Sequence, residues 1–168
     1  LMQNELSKLS VKSEIKLNAD IKKIWELFST PSHLELFHPF CKNNKIVIWN
    51  EQTKIDKLTY LNGLVYERNI YSWQKDTGFK LYIGKKKGKK SKVEWDLRPI
   101  NNMVILSIKV TPYVSKKFSL KIYNLLLKLY ILPLLKRYLR NVLRGIKFYL
   151  EDGKVVKHNQ FGSHSWFS

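Results

Sequence analysis

What most constrains this chain is the order in which its periodic segments come. Over residues 10–17, Val11, Ser13, Ile15 and Leu17 alternate with Lys12, Glu14 and Lys16, the period-2 pattern of a half-buried strand. Two short helical patterns follow, over residues 20–29 and 31–38. Between residues 44 and 111 the chain reads as about six further strands, and residues 117–152 read as one long helix. A sheet of some seven antiparallel strands must bury one face, and a single long helix is left to cover it. The expected fold class is therefore α+β: a curved antiparallel sheet gripping a C-terminal helix. A grip of that kind encloses a cavity, and such cavities take small apolar ligands.

Local signals support each segment. Asn18 or Asp20 can cap the first helix, and Ile21, Ile24, Trp25 and Phe28 then recur at helical spacing. Thr30-Pro31 reads as a second helix start, and that helix should end at His38, because a residue before proline is pushed into extended geometry. Asn62-Gly63, Asp76-Thr77-Gly78 and Asn101-Asn102 mark turns between strands. Residues 84–90 form a lysine-rich loop with Gly84 and Gly88 at its bends. In the last helix Lys121, Lys128, Lys136, Arg140, Arg144 and Lys147 fall on one stripe, and before Pro133 almost everything off that stripe is apolar. Pro133 should kink or split the helix.

The whole chain, 1–168, reads as one domain, with a core of about 10–152 and a tail, 153–168, whose Phe161, Trp166 and Phe167 should dock on the body. A lone Cys41 allows no internal disulfide and points to a reducing compartment. Residues 1–10 lack a signal-peptide core, and the longest apolar runs are too short to span a bilayer, so the expected location is cytoplasmic or peripheral to the inner membrane face.

The net charge of +18 is unevenly placed. Lys85, Lys86, Lys87, Lys89, Lys90 and Lys92 fall within eight positions, and residues 114–158 hold eleven Lys and Arg against Glu151 and Asp152. A clustered field of that sign attracts anionic membranes or nucleic acid. The excess of 26 Lys over 5 Arg is equally what an A/T-rich genome produces.

The opening stretch Ile15-Lys-Leu-Asn-Ala-Asp-Ile-Lys-Lys-Ile-Trp-Glu-Leu-Phe-Ser-Thr-Pro-Ser-His-Leu resembles the start of the START-like, or SRPBCC, superfamily of helix-grip proteins. There a strand runs into a helix carrying a tryptophan, then into S-x-P and a second helix. His38-Pro39-Phe40-Cys41-Lys42-Asn43-Asn44 and Asn62-Gly63-Leu64-Val65-Tyr66-Glu67-Arg68 are similar to a bacterial branch of that superfamily. The resemblance covers residues 10–150 and implies the helix-grip fold with its cavity. It leaves function open, because the superfamily includes lipid-transfer domains, polyketide cyclases and a ribosome-directed toxin.

The expected ligand is a hydrophobic or amphipathic small molecule such as a lipid or isoprenoid, bound between sheet and helix. The expected lining is Trp25, Phe37, His38, Tyr60, Tyr66, Arg68, Trp95, Tyr123 and Leu127. Arg68 would pair with a ligand acid or with a carboxylate such as Glu94. Lys85, Lys86, Lys87, Lys89, Lys90, Lys121 and Lys128 would face an anionic membrane, and a homodimer would bury the same apolar helix surface. One alternative is a cyclase- or dehydratase-type enzyme drawing on Tyr60, Glu94, Arg68 or His38. Another is an RNA- or ribosome-binding module using the lysines, although residues 84–92 contain no aromatic for base stacking. His38 and Cys41 sit three apart, but no third group stands by to orient them, and Cys41 reads as a buried packing thiol. The histidines have no metal-ligand spacing, and no motif calls for a cofactor.

Overall fold

The computed structural model describes residues 9–113 and 125–168, with only the backbone of Leu127. Seven strands form one antiparallel sheet: β1 (Val11–Leu17), β2 (Cys41–Trp49), β3 (Lys54–Tyr60), β4 (Val65–Gln74), β5 (Gly78–Gly84), β6 (Ser91–Ile100) and β7 (Met103–Thr111). Their order is β1-β7-β6-β5-β4-β3-β2, so the first two strands of the chain are the two edges. Between those edges run α1 (Ile21–Ser29) and α2 (Leu34–Phe37). The long helix α3 (Leu132–Asp152) packs along β1 and against α2. This is the helix-grip α+β architecture.

The alternation in β1 buries Val11, Ser13 and Leu17 and exposes Lys12, Glu14 and Lys16. Asp20 is the cap of α1, accepting from the Lys22 N–H at 2.7 Å, while Ile24, Trp25, Leu27 and Phe28 fill its buried face. Thr30 does not start a second helix. It closes α1, its N–H bonded to Glu26 and Leu27 carbonyls and its hydroxyl to Glu26. Pro31 begins a turn through Ser32, at φ +59°, and α2 is a single helical turn. His38, ahead of Pro39, has the extended ψ of 110° that the proline demands. β2 begins at Cys41, earlier than the apolar pattern reaches, and is bulged between Cys41 and Asn43 and between Ile46 and Ile48.

Pro133 changes the helix before it. Proline has no N–H for the carbonyl of Leu129, and a π-helical turn, Leu127–Ile131, stands immediately ahead of α3. Beyond it Leu135, Tyr138, Leu139, Val142, Leu143, Ile146 and Leu150 are buried, and Lys136, Arg140 and Arg144 are exposed. The expected helix start at residues 117–124, with Lys121 and Tyr123, lies outside the described residues. Gly145 lets α3 cross the end of α2, since a Cβ there would stand 1.9 Å from the Phe37 carbonyl oxygen. The tail folds back over the body. Val156 N–H bonds Leu36 O, Asn159 N–H bonds Pro39 O, and Phe167 stacks on Tyr60 at 4.3 Å. No helix among the described residues is long and apolar enough to cross a membrane.

Candidate ligand-binding cavity

The concave face of the sheet is filled at one end and hollow at the other. At the filled end Phe28 packs edge-on against Phe79 and Phe37 and tilted against Trp95, and Trp25 meets Trp73 at 4.6 Å. At the other end a cavity of about 460 Å³ separates the sheet from α3. Register explains its walls. Leu58 and Tyr60 on β3, Tyr66 and Arg68 on β4, and Val93 and Trp95 on β6 are inward positions two residues apart. Ile131, Leu135, Tyr138, Leu139 and Val142 recur every three or four residues and so form one face of the helix opposite. Trp166 and Phe167 of the tail complete the wall. The exposed lining residues Lys85, Gly88, Lys89 and Tyr113 mark the rim where the cavity meets solvent.

Two polar clusters stand on this otherwise apolar wall. In the first, the hydroxyl oxygens of Tyr60 and Tyr138 lie 3.2 Å apart, and His38 Nε2 lies 2.8 Å from Tyr138 Oη. The Phe40 N–H donates to His38 Nδ1 at 3.3 Å, so the ring proton is on Nε2 and is given to Tyr138. Burial lowers the His38 pKa to about 3, with the Arg68 charge acting in the same direction. Burial likewise raises both tyrosines above their ordinary value, so the cluster is neutral across the physiological range.

The second cluster is charged. Arg68 Nε lies 3.1 Å from Asp56 Oδ1 across the β3–β4 ladder, where the two residues face each other. The contact is ionic without an aligned hydrogen bond, and the Asp56 carboxylate makes no well-aligned hydrogen bond among the described residues, although the Asn44 amide stands near enough to favour its charged form. Arg68 also donates to His33 Nε2 at 3.3 Å, while His33 Nδ1–H donates to the Thr30 carbonyl at 2.9 Å. Burial raises the Asp56 pKa, and Arg68 opposes it. Burial and then Arg68 lower His33 to about 3. Glu94, expected as a partner of Arg68, is on the outer face, 3.3 Å from Lys92 and 3.7 Å from Lys80 and Lys109.

The structure thus brings His38, Tyr60, Tyr66, Arg68 and Trp95 together around the cavity. Trp25 and Phe37 belong to the filled end instead. Tyr123 and the side chain of Leu127 lie outside the described residues. Sequence reasoning missed Asp56, Tyr138, Trp166 and Phe167. Asp56 was legible as the inward partner of Arg68 only once register was known, and the tail gave no sign of where it docks. Cys41 is buried, and burial, with Glu35 next, pushes its thiol up to about 12. His38 spends both ring nitrogens on Phe40 and Tyr138 and has none for Cys41. Among the described residues no three His, Cys, Asp or Glu converge on a metal position.

Of the surface lysines, Lys85 and Lys89 are at the rim, Lys86 and Lys87 are exposed, and Lys90 pairs with Glu67 at 2.9 Å. Lys89 bonds the Tyr113 hydroxyl and sits 4.5 Å from its ring centroid. The loop thus gains from the end of β7 an aromatic neighbour its own sequence lacks. Lys128 is exposed on the π-helical turn beside Leu129 and Tyr130, which are 69% and 70% exposed. Lys121 lies outside the described residues.

No family model matches the chain, and no curated protein matches its sequence. Solved structures do match. A START superfamily protein from Mycobacterium smegmatis is similar over 86% of this chain and 99% of its own, at 11% identity and a TM-score of 0.62. A protein from Thermus thermophilus is similar over 86% and 98%, at 13% identity and 0.67. The Aha1 dimer from Colwellia psychrerythraea is similar over 86% and 98%, at 13% and 0.65. At such identities the likeness is one of fold, and the chain has the START-like helix-grip fold.

Proposed function

We propose that this protein binds a hydrophobic or amphipathic small molecule, of the lipid or isoprenoid kind, in the cavity between the sheet and α3. The observation that carries the reading is the hollow itself: about 460 Å³ of space on a mostly apolar wall, beside an end of the fold filled by packed aromatic side chains. A ligand burying about 300 Å² of apolar surface there would gain about 7.5 kcal/mol at about 25 cal/mol per Å², before association costs. The test is native mass spectrometry of protein purified from its own cells. The expected result is a species heavier by the mass of one small apolar molecule, which leaves on collisional activation and partitions into organic solvent. Protein that emerges empty and also takes up no fluorescent apolar probe would contradict the proposal.

A second reading concerns where the ligand comes from. Leu125, Leu126, Leu129 and Tyr130 are 54–70% exposed just ahead of Ile131 on the cavity wall, with Lys128 among them and Lys85 and Lys89 at the rim. An apolar patch beside lysines suits the surface of an anionic bilayer, each lysine contributing about 1 kcal/mol. Liposome co-sedimentation should show binding to anionic but not neutral vesicles, weakening as salt rises. A salt-insensitive dimer with no vesicle binding would assign the patch to self-association.

A further inference from the structure

The hydrogen bonds at the deep wall do not balance, and the imbalance says what the ligand must offer. His38 Nδ1 accepts from the Phe40 N–H, so Nε2–H donates to Tyr138 Oη. Tyr60 and Tyr138 then bring two hydroxyl protons to a single oxygen–oxygen contact of 3.2 Å. One proton makes that bond. The other has no acceptor among the described residues, whichever tyrosine carries it. Both side chains line the cavity and are otherwise 2% and 9% exposed, so the partner that completes the bond must come from within the cavity.

We infer that the ligand presents a neutral oxygen acceptor, a carbonyl above all, to the Tyr60–Tyr138 pair, completing the bond the protein leaves open. This rests on the reading that the cavity holds an apolar molecule. Neutrality follows from the surrounding charges. The nearest cation on the wall, Arg68, is already balanced by Asp56, so a carboxylate at the tyrosine pair would be a buried charge without a counterion. A ketone or ester carbonyl carries no such penalty. Leaving a buried donor unpaired costs more than a hydrogen bond nets, so a hydrocarbon of the same shape should bind less well.

The test uses a matched pair of rigid probes, fluorene and 9-fluorenone, with affinities corrected for their partition between water and alkane. Both should bind, with the ketone favoured about 3- to 10-fold after correction, the range expected of one net hydrogen bond. The carbonyl stretch of bound 9-fluorenone should fall below its frequency in dry alkane. Tyr60→Phe keeps one free hydroxyl and should keep the shift. The triple variant His38→Leu/Tyr60→Phe/Tyr138→Phe, which also removes the imidazole N–H that losing Tyr138 would unmask, should abolish both shift and preference. An alkane-like frequency in the wild-type protein, or a shift that survives in the folded triple variant, would overturn the inference while leaving the apolar cavity reading intact. The wild-type frequency decides alone if the triple variant does not fold. Failure of both probes to bind would overturn the cavity reading, and this inference with it.

Discussion

Lowering the pH from 7 to 5 should strip this protein of a large part of its stability, and the two buried histidines are the reason. Burial, reinforced by Arg68, holds His33 and His38 at about 3 in the folded protein, against an ordinary 6.5 in the unfolded chain. Between those values the unfolded state binds the proton and the folded state does not. The stabilisation is therefore complete above about pH 6.5 and is lost progressively as pH falls towards 3. One such ring loses ~2 kcal/mol between pH 7 and pH 5, and the pair ~4 kcal/mol, out of a total that for a domain rarely exceeds about 15 kcal/mol. His164, also lowered by burial, adds to the loss, and Asp56, whose pKa is raised, works against it. Urea unfolding at pH 7, 6 and 5 measures the slope directly. His38→Gln, whose amide can still donate towards Tyr138, should remove about half of it. Stability that stays level across this range, or His33 and His38 imidazole NMR signals that titrate near 6.5 in the folded protein, would refute the argument that burial keeps these rings neutral.

Three further outcomes follow from single contacts. Arg68→Met leaves Asp56 buried without its cation and should cost about 3–5 kcal/mol in chemical denaturation, whereas Arg68→Met/Asp56→Leu should return to within about 1 kcal/mol of the parent. Cys41, with its thiol pushed up to about 12, should react with iodoacetamide at neutral pH only as fast as the protein unfolds, and Cys41→Ser should leave probe binding unchanged. Gly145→Ala should destabilise by about 2 kcal/mol despite alanine's better helix propensity, because the new methyl meets the Phe37 carbonyl and pushes α3 off α2.

The fold was legible because its signals are local. Alternation in β1, the Asp20 cap and the turn at Asn62-Gly63 each depend on a few neighbouring residues, and their order along the chain leaves few ways to bury one sheet face. Boundaries failed where two local rules competed. Thr30 satisfies a cap at the end of α1 as readily as one at the start of α2, and the contacts of Glu26 decide the matter. The cavity wall was half legible. Tyr60, Tyr66, Arg68 and Trp95 follow from period 2 on strands. Trp25 and Phe37 share the apolar character of a lining residue, and only the packing of their helices, against Trp73 and Phe28, places them at the packed end. Asp56 and Tyr138 are set by contacts across the ladder and across 78 to 100 residues of sequence, which no window along the chain contains.

The most direct test of the central claim is to fill the hollow and ask whether binding goes with it. Val110 on β7 and Val142 on α3 both line the cavity, and Val110→Phe/Val142→Phe projects two rings into space that no side chain occupies. Binding of N-phenyl-1-naphthylamine is then compared between parent and variant by fluorescence titration, with circular dichroism confirming that the fold persists. The account predicts saturable one-to-one binding by the parent and a loss of at least about tenfold, ~1.4 kcal/mol, in the folded variant. Equal binding by both proteins would mean that apolar molecules bind elsewhere and that the cavity is not the site.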